Sequence, residues 1–416
     1  MITEEQTDLI VERLVDRVEQ ANTYFLMQLG EKIKKIRKLT PSEAHQLVQI
    51  LKYGGEYDDI VREIAKYTNL NIADIDSIFA SYAKKDYEFA QKFYEYRKIP
   101  FVPYEQNATL KMQKEVFSNM VKNQMYNFTR NNVLGYTIRD INGNMQFLGL
   151  KDTYNRVLDE ALLNVGQGKQ TFDTAMAQIM KEIGGSGLKT LNYASGRSIR
   201  LDSAIRMHLK GRLREFHNEN QQIIGSEIDA DGVEITVHSN PAEDHAEAQG
   251  HQLYNDQFNL LQTAGVAKDV NGKELNLHKE NKDGEEYGTF RPISEMNCYH
   301  YIFSIIVGVS KPEYTDEELQ KIIDDNNKGF DYEGKHYSNY EGTQLQRQLE
   351  RKIREQKDIQ ILAKASDNKE LILESQQNIT ILTNKYKELS DISGLPTKMD
   401  RLKVSSYKRV AKKKLI

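Results

Sequence analysis

Tryptophan is absent from the 416-residue chain, and cysteine occurs once, at Cys298. A single thiol excludes an internal disulfide framework and suits a chain that folds in a reducing compartment. Prolines number only 7, so long helices can run without a ring that removes a backbone donor. Long apolar runs are missing as well. The longest, 301–309, contains a serine and a glycine and falls far short of the ~20 residues a membrane helix needs. The opening Met1-Ile2-Thr3-Glu4-Glu5 is acidic and polar, unlike a signal peptide. With a net charge of −4 the chain is not basic throughout, so any contact with nucleic acid has to be local.

Hydrophobic residues make up 39% and charged residues 28%, values that fit an elongated, helix-rich molecule with much solvated surface. The length suggests two or three domains at about 150 residues each. Ile10, Leu14, Val18, Phe25, Leu29, Ile33 and Ile36 recur at helical spacing and predict an amphipathic helix over 3–38. Thr40, Pro41 and Glu43 spell the start of a second helix, with a capping box and proline in the first turn, and Gly54-Gly55 ends it. Further helices are predicted over 58–67, 72–99, 107–132, 152–165, 170–183, 200–224, 316–326, 340–364 and 369–389. Asp140 to Asn144 reads as a turn between short strands, and 234–238 reads as a strand. Gly184-Gly185-Ser186-Gly187 reads as a flexible connector; no GxxxxGK[ST] pattern makes it a phosphate loop. The fold class expected is α+β and predominantly helical. It has long N-terminal helices, a small mixed α/β central domain, and a C-terminal helical pair with a basic tail. The divisions read are 1–135 (a helical arm or docking region), 136–330 (an α+β core), 331–400 (C-terminal helices) and 401–416 (the tail).

His238, His245, Cys298 and His300 form two ligand-like pairs separated by a loop excursion. Thiolate and imidazole are the ligands zinc favours, and four of them close a tetrahedron, so a structural zinc ion is the cofactor to consider. His251 can replace one member, and Asp244 can orient another. A Cys-His-Asp nucleophile built on Cys298 is the other chemical reading, but nothing around the cysteine matches a protease signature. Three basic features stand out. Arg197, Arg200, Arg206 and Lys210 lie on one basic stretch, 197–216, read as helical. Arg347, Arg351 and Arg354 fall at i, i+4 and i+7 on another, a face suited to phosphates or an acidic partner. The tail carries Lys408, Arg409, Lys412, Lys413 and Lys414 among no acids, a pattern suited to contact with DNA that ignores sequence.

Four segments, in this order and spacing, resemble the phage minor capsid protein 2 family of Gram-positive phages and prophages, related to the head-morphogenesis proteins. They are YASGRSIRLDSAIRMHLKGRL (193–213), EITVHSNPAEDHAEAQG (234–250), NCYHYIFSIIVGVSKPEYTDEEL (297–319) and YSNYEGTQLQRQLERKIR (337–354). The likeness holds at His238, His245, Gly250, Asn297, Cys298 and His300. Where the family usually has arginine between the cysteine and the histidine, this chain has Tyr299. Where the family often has tryptophan before the glycine, it has Gln249. Ser294-Glu295-Met296 stand where a further glycine or cysteine is common.

The resemblance implies a structural virion protein, not an enzyme, present in few copies inside the head. Its partners would be the portal protein, other head proteins and packaged double-stranded DNA, with no membrane anchor and with assembly in the host cytoplasm. The alternative is a metal-dependent hydrolase, nuclease or toxin-like effector using His245, Cys298 and His300.

Overall fold

The computed structural model describes residues 4–68, 72–130, 132–140, 142–192, 196–277, 290–295, 298 and 300–405. In chain order these form α1 (Glu4–Ile36), α2 (Pro41–Tyr53), α3 (Glu56–Thr68), α4 (Ile72–Arg97) and α5 (Ala108–Thr129). Then come β1 (Leu134–Arg139), β2 (Met145–Gly149), α6 (Leu150–Asn164), α7 (Lys169–Ser186), β3 (Lys189–Leu191), β4 (Ser198–Arg200) and α8 (Leu201–Glu227). Next are β5 (Gly232–Ile235), β6 (Gln252–Tyr254), α9 (Asn255–Ala264), β7 (Val266–Lys268), β8 (Glu274–Asn276) and β9 (Ile302–Ile305). Last are α10 (Asp316–Lys328), β10 (Phe330–Tyr332), β11 (Lys335–Tyr337), α11 (Asn339–Ser366) and α12 (Lys369–Ser393). The fold is α+β and predominantly helical, as expected. No helix among the described residues is long and apolar enough to cross a membrane.

Local chemistry explains the boundaries. Thr40 and Glu43 cap α2 reciprocally: the Thr40 side chain accepts from the Glu43 N–H, and the Glu43 carboxylate accepts from the Thr40 N–H at 2.9 Å. Thr315 and Glu318 repeat the device at α10. At the β1–β2 turn, Asp140 Oδ1 accepts from the N–H groups of Asn142 and Asn144, each at 2.8 Å.

The residues fall into two compact units, and neither is one continuous stretch. One draws on Met1–Leu9, Ile72–Lys122 and Met207–Gln344, the other on Ile10–Asn71, Asn123–Arg206 and Leu345–Ile416.

In the second unit, β2, β1, β3 and β4 form an antiparallel sheet in that order. The α1 positions Leu14, Val18, Phe25, Leu29, Ile33 and Ile36 are all buried, as their spacing predicts. Phe25 stacks on Tyr136 of β1 at 5.4 Å. The Tyr136 hydroxyl donates to Asn22 Oδ1 at 2.8 Å. In the run Gly184 to Gly187, expected as a flexible connector, the first three residues are instead the end of α7 and Gly187 caps it. A Cβ at Gly184 would come within 2.7 Å of the Ile359 backbone nitrogen on α11. The glycine therefore permits close helix approach there and does not loosen the chain.

In the first unit, β5 is the central strand of a sheet ordered β6-β5-β9, antiparallel on both sides. Val233, Ile235, Leu253, Leu261, Leu275 and Ile293 form its core. The strand expected over 234–238 is shorter than predicted. β5 ends at Ile235, whose carbonyl accepts from the Gly250 N–H at 2.8 Å. His238 thus lies in the loop beyond the strand.

Candidate metal centre

The first unit brings His245, Cys298 and His300 together. His300 stands just before β9, held against the end of β5 by reciprocal bonds. Thr236 N–H donates to the Tyr301 carbonyl at 3.0 Å, and Tyr301 N–H donates to Thr236 Oγ1 at 2.9 Å. His245 sits in a chain of turns across 242–250; its N–H donates to the Ala242 carbonyl, and its own carbonyl accepts from Ala248 and Gln249. Gly250 closes this loop at φ +75°, where a Cβ would strike Leu319 Cδ2 at 2.3 Å. Cys298 is fixed by its N–H to the Glu295 carbonyl at 2.9 Å and by Arg214, which donates to its carbonyl. Asn297 and Tyr299 of the NCYH segment lie outside the described residues.

Cys298 Sγ lies 3.4 Å from His245 Nδ1 and 3.3 Å from His300 Nδ1. One ligand atom from each of the three residues lies within 4.8 Å of the others, and all three residues are buried. The far nitrogen of each ring is engaged. His245 Nε2 donates to the Arg291 carbonyl at 2.8 Å. His300 Nε2 lies 3.3 Å from Gln249 Oε1, and that oxygen also accepts from the His238 N–H at 2.8 Å. Both outer partners are acceptors, so each Nε2 carries the proton and each Nδ1 presents its lone pair to sulfur. Burial pushes the Cys298 thiol up, against the opposing pull of His300 and of the Ser294 N–H, which donates to Sγ at 3.1 Å. Burial pushes His245 down, and it pushes His300 further down with help from His238 and His245.

His238, expected as the fourth member, packs edge-on against His300 with ring centroids 4.5 Å apart. It is not one of the three converging donors. Asp244 grips the Arg291 guanidinium at 2.9 and 3.0 Å and also stands 3.7 Å from His245 Nε2. His251 belongs elsewhere: its Nδ1 meets Asp269 at 2.9 Å, and Lys273 Nζ stands 3.3 Å from its Nε2. Sequence reading missed Gln249 as the anchor of His300. Its place one residue before the glycine is a signal only beside the structure.

The arginines divide sharply. Arg197 and Arg200, expected on a helix, lie before it: β4 ends at Arg200 and α8 begins at Leu201. In the second unit, Arg200 is largely enclosed, against Asp202 at 3.2 Å and Asp358 at 3.3 Å. Arg206 forms a bidentate pair with Glu12 at 2.7 and 2.8 Å. Arg354 donates to Asp202 at 2.7 Å and stands 3.6 Å from Glu19. Arg197, Arg347 and Arg351 are exposed, and Lys210 is half-buried. The stripe expected along α11 is thus split, with two exposed members and one enclosed. Lys408, Arg409, Lys412, Lys413 and Lys414 lie outside the described residues.

In comparison with known families, residues 2–391 match the phage minor capsid protein 2 family. No curated protein and no solved structure matches the chain.

Proposed function

The chain belongs to the phage minor capsid protein 2 family, a minor capsid component of a bacteriophage, and we propose that it acts as a non-catalytic structural protein inside the head, docked at the portal vertex and touching packaged DNA. Assembly in the host cytoplasm goes with this reading. The observation that carries the docking is on α5. Met112, Val116 and Met120 are 63%, 48% and 40% exposed and share one face at i, i+4 and i+8. Their opposite face, Leu110, Phe117 and Val121, is buried. A row of methionine and valine left in water on a helix is the kind of surface another protein covers. DNA contact rests on the exposed Arg347 and Arg351 and on the basic tail.

The chemistry around Cys298 supports a structural role over a hydrolytic one. Burial raises the thiol instead of activating it. Asp244, 3.7 Å from His245 Nε2, is engaged by Arg291, which makes it a poor general base.

The test is co-purification with portal protein from phage-producing cells, comparing the native chain with Met112→Asp/Met120→Asp. Native protein is expected to bring portal with it, and the variant, folded by circular dichroism, is expected to lose it. Equal recovery would overturn the docking surface.

A further inference from the structure

We propose that His245 Nδ1, His300 Nδ1 and Cys298 Sγ together bind one divalent transition-metal ion, zinc by the chemistry of its donors, and that this ion fastens the 242–250 loop to the segment before β9. The inference concerns the fold of the first unit and stands independently of portal docking.

The first support is geometric. With Zn–S near 2.3 Å and Zn–N near 2.0–2.1 Å, tetrahedral angles place nitrogen and sulfur about 3.5 Å apart. The two separations here are 3.3 and 3.4 Å, so both nitrogens already stand from the sulfur as a shared ion would place them.

The second support is a proton count. Two buried nitrogens point lone pairs at one sulfur, and a thiol has one proton to offer. Without an ion, one of the two contacts is a lone pair facing sulfur with no hydrogen between, among buried side chains. A divalent cation satisfies all three donors at once. The thiol proton leaves to solvent, and the S–H bond is exchanged for a sulfur–metal bond.

The third support lies behind the donors. Metal-bound imidazole characteristically donates its other N–H to a carbonyl or carboxylate, and that bond fixes the tautomer. His245 does so to the Arg291 carbonyl and His300 to the Gln249 amide oxygen. The His238 N–H on that same oxygen fixes which way the amide faces. The Ser294 N–H aimed at Sγ favours the thiolate.

The only other group of this kind among the described residues, His251, Asp269 and Asp316, includes an exposed member, Asp316, and its histidine has a lysine beside its other nitrogen. The Lys273 ammonium stands 3.3 Å from His251 Nε2.

The experiment uses the full chain and two readouts. Protein purified without chelator is analysed for zinc. Chelated protein is then titrated with cobalt(II), and the near-ultraviolet sulfur-to-cobalt absorption is followed. The expected results are about one zinc per chain, saturation at one cobalt with a sulfur charge-transfer band, and a melting temperature lowered on the order of 5 °C by chelation. Cys298→Ala should lose the band and the chelator sensitivity, and His300→Gln should weaken cobalt binding at least tenfold. A wild-type chain that carries no zinc, shows no charge-transfer band with cobalt and melts identically with and without chelator would overturn the proposal. That outcome is decisive even if the variants fail to fold.

Discussion

Arg354 on α11 donates to Asp202 in the first turn of α8 at 2.7 Å, across 152 residues of chain. Both side chains are enclosed, and Glu19 of α1 lies 3.6 Å from the same guanidinium. One arginine thereby ties three distant helices of the second unit. Removing it leaves the buried Asp202 carboxylate short of a partner. Arg354→Ala is expected to cost about 3–5 kcal/mol by denaturant unfolding. Arg354→Lys should recover only part of that, because an ammonium lacks the fork geometry. A loss under 1 kcal/mol would show that the pair is not what joins these helices.

The exposed arginines should behave in the opposite way. Arg347→Ala/Arg351→Ala is expected to leave stability within about 0.5 kcal/mol. It should weaken binding to duplex DNA and shrink the slope of log affinity against log salt by about 1–2. Unchanged salt dependence would remove these two residues from the DNA surface.

Glu19 gives the second unit a pH dependence. Burial, reinforced by Asp202, pushes its carboxyl from 4.5 up to about 8. A carboxyl raised on folding stabilises fully below its unfolded value, and that contribution fades as pH rises through the folded one. Stability is therefore expected to fall between pH 4.5 and about 8. Asp358, raised by burial to about 6, adds to the lower part of that fall. Asp202 acts in a separate window. Burial alone would raise it, but Arg200, Arg354 and Arg206 outweigh burial and hold it well below the usual carboxylate range. Its contribution is present above 3.8 and is lost only in stronger acid. Glu19→Gln should flatten the profile between pH 5 and 8.5 in urea unfolding and be the more stable form at the upper end. Parallel profiles would contradict the buried, protonated Glu19.

Adjacent glycines on α7 should respond with opposite signs. Gly184→Ala places a methyl 2.6 Å from Ile359 Cγ1 and 2.7 Å from its backbone nitrogen, an overpacking expected to cost about 1–3 kcal/mol. Gly185 has nothing within 4 Å of its would-be Cβ, so Gly185→Ala should gain up to about 1 kcal/mol from helix propensity alone. Thermal melts of the two single variants decide, and equal shifts would sink the close-approach account.

Helix positions were legible because periodicity and caps are local: Thr40 with Glu43, and the buried row from Leu14 to Ile36, could be read directly. Gly184 was misread for a physical reason. The same absence of a side chain that loosens a loop also lets helices touch, and only the facing Ile359 tells the two apart. The arginines were harder still. Helical arithmetic puts Arg347, Arg351 and Arg354 on one face but cannot see Asp202 arriving from 152 residues away. The pairing of Cys298 with His300 and His245 was legible by residue type. The separation of His238 from the three donors was not, because it depends on β5 ending at Ile235.

The central claim is that this chain is a structural part of the head. Mass spectrometry of purified, nuclease-treated phage particles, with heads separated from tails, tests it most directly. The account predicts the full chain in the head fraction alongside portal protein, at a few copies per particle. Clean absence from intact particles would contradict it.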